Sequence, residues 1–434
     1  MVFSYDYIYN IIIYHRLFTG GTYMRRKCTD SLIQWKKNPH RHPLLLQGLR
    51  QTGKTWLALD FAEKNYKNTL YLNLETDKPV TDYLSVPRTP QDALLFLETY
   101  AGKPLLPSVS LLILDNIQCV PKLLTLLAAL SLDYPQYHIL AIHRGLASPE
   151  RYSKNDFDII SLYPLDFEEF LWANAEYALS REIRKHFSTL TPLGKELHQK
   201  ALSQFYLYLI LGGMPLSVLE YRREKKLLMV PDVQQKLLEL ILGDISSQAP
   251  TGMTRHCQNA WLSIPAQLEK SSRRFQYSLI TKGATAKTYE KPLDWLLRSG
   301  YALACRQTSL HLYPTDCGLC ARVLGVPSYQ LLTGSDTPAA RACTETFLAQ
   351  HFTRNGYTLS YWSSGNQAEV PFLLEKESRH IAVDYRLTPH QKTRNLTRCR
   401  AEMNTDAEMY LLSVEDFREK ENYHIVPVYA GFCV

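Results

Sequence analysis

The sequence predicts an α/β fold: a parallel sheet with helices on both faces, then a helical middle and a mixed end. Three observations carry the prediction. Apolar runs such as PLLLQG, TLYLNLE, SLLILD and HILAIHR alternate with segments of helical periodicity, the pattern of βαβ units. SLLILD is apolar almost throughout, as a strand buried on both faces is. Gly48-Leu49-Arg50-Gln51-Thr52-Gly53-Lys54-Thr55 stands between the first run and the first strong helix, where a G-x-x-x-x-G-K-[ST] phosphate loop belongs.

The elements follow in order. Ser31 to Lys36 reads as a short amphipathic helix before a basic turn, and PLLLQG as a buried strand. GKTWLALDFAEKNY is a helix with apolar positions at Trp56, Leu57, Leu59, Phe61 and Ala62. TLYLNLE is the next strand, PQDALLFLETYAGK a helix, SLLILDNIQ a strand, VPKLLTLLAALSLDYP a helix, and HILAIHR and DIISLYPL further strands. After Leu165 the character changes. Asp166 and Glu169 have capping-box spacing and start a helix at DFEEFLWANA. Helical patterns dominate to about Gly243, with LGGMP a turn between two of them. Trp261 to Ala304 reads as helix, turn, helix and short strands. The last hundred residues hold a helix over ACTETFLAQHF and the strands TLSYWSS, AEVPFLLE and RHIAVDYRL.

At 434 residues the chain is too long for one core, so two or three domains are expected. A composition of 45% hydrophobic and 21% charged residues is that of an ordinary globular protein. The net charge of +7 permits a nucleic-acid partner without arguing for one, since binding needs clustered charge. Nine cysteines without regular spacing read as reduced thiols of a cytoplasmic protein. Cys317 and Cys320 form a C-x-x-C, but no second pair or histidine couple stands near enough for zinc, so they read as small buried residues. No segment is long and apolar enough to span a membrane, and no membrane partner is expected. Residues 1–23 are apolar and aromatic but contain Asp6, His15 and Arg16 and lack a cleavage site. They are expected to be an N-terminal arm, not necessarily native, with the folded protein beginning at Met24.

The chemistry centres on the phosphate loop. Gly48 and Gly53 let the backbone turn tightly and present its N–H groups to phosphates, and the helix opening at Gly53 adds its positive end. Lys54 would reach the β- and γ-phosphates and Thr55 would ligate Mg²⁺. Arg50, Gln51, Thr52 and Trp56 complete the nucleotide-binding stretch. Asp115 ends LLILD at the carboxyl end of a strand, the place for an acid that holds Mg²⁺ through water.

With these residues placed, the chain from about Met24 onward resembles prokaryotic AAA-type ATP-binding proteins. These carry an uncharacterised C-terminal domain with a restriction-nuclease-like end. The resemblance rests on PLLLQGLRQTGKT, YLNLE, LDNIQ, LYPLDFEEFL, GGMP, SIPAQL, KGATAKTYEKPLDWL and YWSSGNQAEVPFLLE, in that order. It implies a P-loop ATPase core at 24–165, a helical and winged-helix-like region at 166–330, and a small α+β nuclease-like domain at 331–434. It also implies ATP and Mg²⁺ as cofactors; ATP over GTP rests on the resemblance alone.

The departures from the family pattern bear on function. The family strand ends Asp-Glu-Ile-Gln; here it ends Asp115-Asn116-Ile117-Gln118. The glutamate would polarise the attacking water, whereas an amide is not a base at neutral pH. The next family strand ends Gly-Ser; here His143 and Arg144 stand there, and Arg144 either contacts a γ-phosphate as a sensor or points to solvent. Asn155-Asp156 replaces a Gly followed by a basic residue. Glu75, at the end of LYLNLE, is the best substitute acid. In the nuclease-like end the first metal acid falls on Pro371 and the E-x-K on Asp384-Tyr385-Arg386, leaving Glu345 and Glu369 as loose acids. Proline supplies no side-chain ligand and arginine gives up no proton, so nuclease activity is not expected.

The middle stretch around Lys282, Lys287 and Lys291 has helix-turn-helix character, but Pro292, Leu293, Trp295 and Leu296 make it read as a packing module rather than a DNA reader. The expectation is an ATP-binding protein with weak or lost hydrolysis, serving as a nucleotide-dependent scaffold or switch, with a homo-oligomer or another protein as partner. An active ATPase using Glu75, or a DNA-associated protein that does not cleave, are the alternatives.

Overall fold

A computed structural model describes residues 24–146, 154–365, 368–389, 394–403 and 406–434. The expectation for residues 1–23 lies outside the described residues. The chain divides into two units, Met1–Tyr163 with Arg298–Gly300, and Pro164–Leu297 with Tyr301–Val434.

The first unit is built on a five-stranded, wholly parallel sheet of order β2-β3-β4-β1-β5. The strands are β1 Leu44–Gly48, β2 Asn68–Asn73, β3 Ser110–Asp115, β4 His138–Arg144 and β5 Asp158–Ser161. Side chains alternate between the faces of a strand, and both faces are covered here. Leu44, Leu46, Ile113 and Leu140 pack under α1 (Cys28–Lys37) and α2 (Lys54–Asn65). Leu45, Leu112, Leu114 and Ala141 pack under α3 (Lys78–Leu84), α4 (Pro90–Ala101) and α5 (Leu123–Asp133). This is the P-loop NTPase sheet with flanking helices.

Three local expectations shift. The first helix starts at Cys28, ahead of Ser31. β2 stops at Asn73, so Glu75 stands in the following turn rather than on the strand. There the Asn73 side chain accepts from the Glu75 N–H at 3.0 Å and Asp77 accepts from the Asn73 N–H at 2.7 Å, two local bonds that close a turn. β3 ends at Asp115 because Asn116 is left-handed, with φ of 60°, and a 3₁₀ turn over Ile117–Cys119 follows.

The second unit begins with α6 (Phe167–Ala173), where the capping box of Asp166 and Glu169 is formed in both directions. Helices α7 (Tyr177–Thr189), α8 (Lys195–Leu211), α9 (Pro215–Glu224), α10 (Val230–Gln248), α11 (Thr254–Leu268) and α12 (Ala286–Arg298) follow, then a hairpin of β6 (Ala302–Arg306) and β7 (Leu310–Pro314). α10 runs through Gly243, where the sequence suggested an end; a mid-helix glycine costs only about 1 kcal/mol, less than the packed face returns. The turn in LGGMP has a steric reason. A Cβ on Gly213 would lie 2.0 Å from the Leu165 carbonyl oxygen, and Asp316 accepts from the Gly213 N–H at 2.7 Å.

Cys317 and Cys320 are buried in α13 (Cys317–Leu324), and α14 (Ser328–Leu332) leads to α15 (Pro338–Arg354), which is buried on every side from Ala342 to Phe352, the mark of a central core helix. A six-stranded mixed sheet, order β12-β13-β11-β10-β9-β8, completes the unit. Its strands β8 (Thr358–Ser364), β9 (Ala368–Lys376) and β10 (Arg379–Arg386) are antiparallel neighbours. β11 (Glu408–Ser413) and β13 (His424–Pro427) extend it in parallel after α16 (Asn395–Met403), and β12 (Arg418–Glu419) closes the edge.

Candidate functional site

Parallel strands put their carboxyl ends on one edge of the sheet, and there the loop residues meet the acids. Gly48 is held against β4 by two backbone bonds with Gly145, of 3.0 and 2.8 Å. Its φ is 149° and a Cβ there would lie 2.2 Å from the Leu162 carbonyl oxygen, so only glycine fits. Gln51 and Gly53 have φ of 67° and 92°, which turns the loop back into α2. Thr52 is fully buried and its hydroxyl donates to the Leu49 carbonyl at 2.9 Å, a structural role inside the loop. Lys54 Nζ donates to the carbonyls of Gly48 and Leu49 at 2.7 and 2.6 Å, which points the ammonium along the loop. Arg50 is half-buried, Gln51 exposed, and Trp56 half-buried against the core beneath α2.

Thr55 Oγ1 donates to Asp115 Oδ2 at 2.7 Å, and the Tyr71 hydroxyl donates to the same oxygen at 3.0 Å. A hydroxyl and a carboxylate are hard oxygen donors of the kind Mg²⁺ takes alongside phosphate oxygens and water. The residues present therefore fit a Mg²⁺–nucleotide. Among the described residues, no group of three or more His, Cys, Asp or Glu side chains could hold a metal by itself.

The three other candidates converge beside this pair. Asn116 Nδ2 donates to Asn73 Oδ1 at 2.8 Å. Its Oδ1 accepts from Arg144 Nη2 at 3.0 Å and from Gln118 Nε2 at 3.2 Å. The same Arg144 nitrogen donates to Glu75 Oε2 at 2.6 Å. Arg144 is only 9% exposed, which removes the solvent-facing alternative. Asparagine is among the few residues that occupy the left-handed region readily, so the local backbone at 116 suits the residue found there. Partial burial and the Glu75 carboxylate push the Cys119 thiol up. Burial likewise pushes the Asp77 carboxyl up.

Sequence reasoning missed Arg26, Tyr71, Asn73 and Gln118. Asn73 and Gln118 lie inside motifs already singled out, and their polarity, at the end of β2 and in the turn after β3, was a usable signal. Arg26 lies outside every motif.

In the second unit the residues to which the resemblance assigned a nuclease centre also meet. Glu369, Pro371, Asp384 and Arg386 line a cleft of about 280 Å³ together with Arg273 and Asn395. The acids are not loose. Arg273 binds the buried Glu345 through Nε and Glu369 through Nη1 at 2.8 Å, and the Tyr385 hydroxyl donates to Glu345 at 2.6 Å. Arg386 donates to Asp384 at 2.6 Å. Guanidinium groups thus supply the positive charge these carboxylates require. Burial pushes the Glu369 carboxyl up, and Arg273 opposes the shift.

A family match agrees with the sheet. Residues 40–171 match the family model of the AAA domain, and residues 202–330 match that of a domain of unknown function. Similar solved structures include a Walker-type ATPase of Pyrococcus abyssi, 13% identical, covering 70% of this chain and 96% of that one with a TM-score of 0.45. AMPPCP-bound DnaA from Aquifex aeolicus is 12% identical, covering 62% of this chain and 86% of that one with a TM-score of 0.28. No curated protein matches the chain.

Proposed function

We propose that the chain binds ATP with Mg²⁺ through its AAA-type unit and turns it over slowly, so that the nucleotide serves as a control signal for a cytoplasmic scaffold or switch. Binding is supported by the loop between Gly48 and Thr55 and by the Thr55–Asp115 pair. Lys54 would neutralise the phosphates, and Thr55 and Asp115 would hold the metal, which supplies charge neutralisation at the transferring phosphoryl group.

One observation carries the slow turnover. Asn116 follows the metal-binding acid, and its Oδ1 already accepts from Arg144 and Gln118. An amide so engaged neither takes a proton from water nor has a ready acceptor to orient it. Loss of a positioned general base costs about 10²–10⁴ in rate.

Thermal shift with phosphate release on the same sample tests the reading. ATP at 100 times its Kd adds about 2.7 kcal/mol of stability. The shift should require Mg²⁺ and vanish in Lys54→Ala, while turnover stays near background; rapid wild-type hydrolysis would overturn it.

A second reading, an ATPase that uses Glu75 as base, draws on the placement of Glu75 in the same hydrogen-bonded group as Asn116. Glu75→Gln should then abolish phosphate release; under the first reading it changes a rate that is already low. For the C-terminal cleft, the Arg273 and Arg386 pairs support a nuclease-like module that no longer cleaves.

A further inference from the structure

We propose that Glu75 and Arg144 form a latch through which the site distinguishes a nucleoside triphosphate from a diphosphate, the third phosphate and the Glu75 carboxylate being rivals for one guanidinium. The inference rests on the nucleotide reading above and adds to it the element that senses the terminal phosphate.

Arg144 is fixed in place. Its Cα is in register with Gly48, the first residue of the phosphate loop, on the neighbouring strand. Its N–H donates to Gln118 Oε1 at 3.2 Å, and its side chain is bonded to Asn116, the residue after the metal-binding acid. The strand end that carries Arg144 therefore lies between the loop strand and the Asp115 strand, and its guanidinium reaches the residues that follow β2 and β3.

Glu75 is the movable partner. It lies in the turn after β2, and its side chain is 46% exposed against 9% for Arg144. A half-solvated carboxylate gives up an ion pair readily, because water replaces most of what it loses. A phosphate offers the guanidinium two oxygens and more charge than a carboxylate does, and Arg–phosphate pairs are commonly bidentate. A diphosphate has no third phosphate to compete with, and leaves the Glu75 pair in place.

Asn116 fits the same device. As an amide it accepts from Arg144 without neutralising it. A carboxylate at that position would be a second, permanent rival for the guanidinium. The turn that holds Glu75 leads directly into the helix at Lys78–Leu84, so release of the carboxylate acts on the start of that helix.

The experiment titrates the full-length chain with ATP and with ADP, each with Mg²⁺, by calorimetry. Glu75→Gln removes the rival and should tighten ATP about fivefold while ADP stays within about twofold. Arg144→Gln should weaken ATP about tenfold or more, leave ADP unchanged, and make a further Glu75→Gln substitution silent. Arg144→Lys keeps the charge but loses the fork, and should fall between; it also guards against a fold defect in Arg144→Gln, which melting curves would reveal. The latch is wrong if Arg144→Gln keeps the wild-type ratio of ATP to ADP affinity, or if Glu75→Gln shifts both nucleotides equally. Failure of the wild type to bind either nucleotide, or unaltered binding by Lys54→Ala, sinks the nucleotide reading and the latch with it.

Discussion

Arg26 reaches across 26 residues of sequence to the phosphate loop: its Nη1 donates to the Thr52 carbonyl at 2.8 Å. Its Nη2 donates to the Tyr163 carbonyl at 2.6 Å, so one buried guanidinium braces the loop against the chain that follows β5. Arg26→Met keeps the apolar stem and removes both bonds. Hydrogen bonds to charged groups contribute about 1.5–3 kcal/mol, so ATP affinity should fall by about tenfold or more. Nucleotide titration measures this, with the melting temperature as the check on folding.

Gly48 and Gly102 make a matched pair of glycine substitutions. Gly48→Ala drives a Cβ to 2.2 Å from the Leu162 carbonyl oxygen, whereas Gly102, with φ of 62°, has nothing within 4 Å of its Cβ position. Gly48→Ala should cost more than about 2 kcal/mol and abolish nucleotide binding, while Gly102→Ala costs about 1 kcal/mol from backbone strain alone. Urea denaturation of the two variants separates clash from strain.

Asn116→Glu restores a carboxylate next to Asp115. The left-handed backbone there costs a glutamate about 1–2 kcal/mol, which the fold should tolerate. At saturating ATP, phosphate release should rise about a hundredfold, while the new carboxylate also competes for Arg144 and should weaken ATP binding. An unchanged rate would mean that Asn116 does not limit turnover.

Arg273 carries two carboxylates, and Glu345 is 1% exposed. Arg273→Ala leaves a buried charge without its counter-ion and should destabilise the C-terminal unit by about 3–5 kcal/mol. Adding Glu345→Gln should recover part of that loss. The comparison of single and double variants by urea unfolding checks it.

His138 predicts an acid limit for the first unit. It is 4% exposed, and burial, aided by Arg41 and Lys36, pushes its pKa down from 6.5 to about 4. The folded state then holds fewer protons than the unfolded state between these values. The stabilising contribution is complete above pH 6.5 and is lost as pH falls through 4, to a limit of about 3 kcal/mol. Replacing His138 with Gln should flatten the pH dependence of the melting temperature in this window.

What the sequence determined by itself was local or periodic. The phosphate loop is legible because eight adjacent residues define it, and the capping box because Asp166 and Glu169 are three residues apart. The parallel sheet is legible because strands buried on both faces must be apolar. Only the tertiary structure decided which distant polar groups meet. Arg144 turns toward Glu75 and Asn116 because β4 lies beside β3 in the sheet, and that order is set by packing across a hundred residues. Arg273 lies 72 residues from Glu345 and 96 from Glu369, and nothing in the spacing pairs them. A charge near the core must find its partner in the folded chain, so its partner is chosen by register and packing rather than by neighbours in sequence.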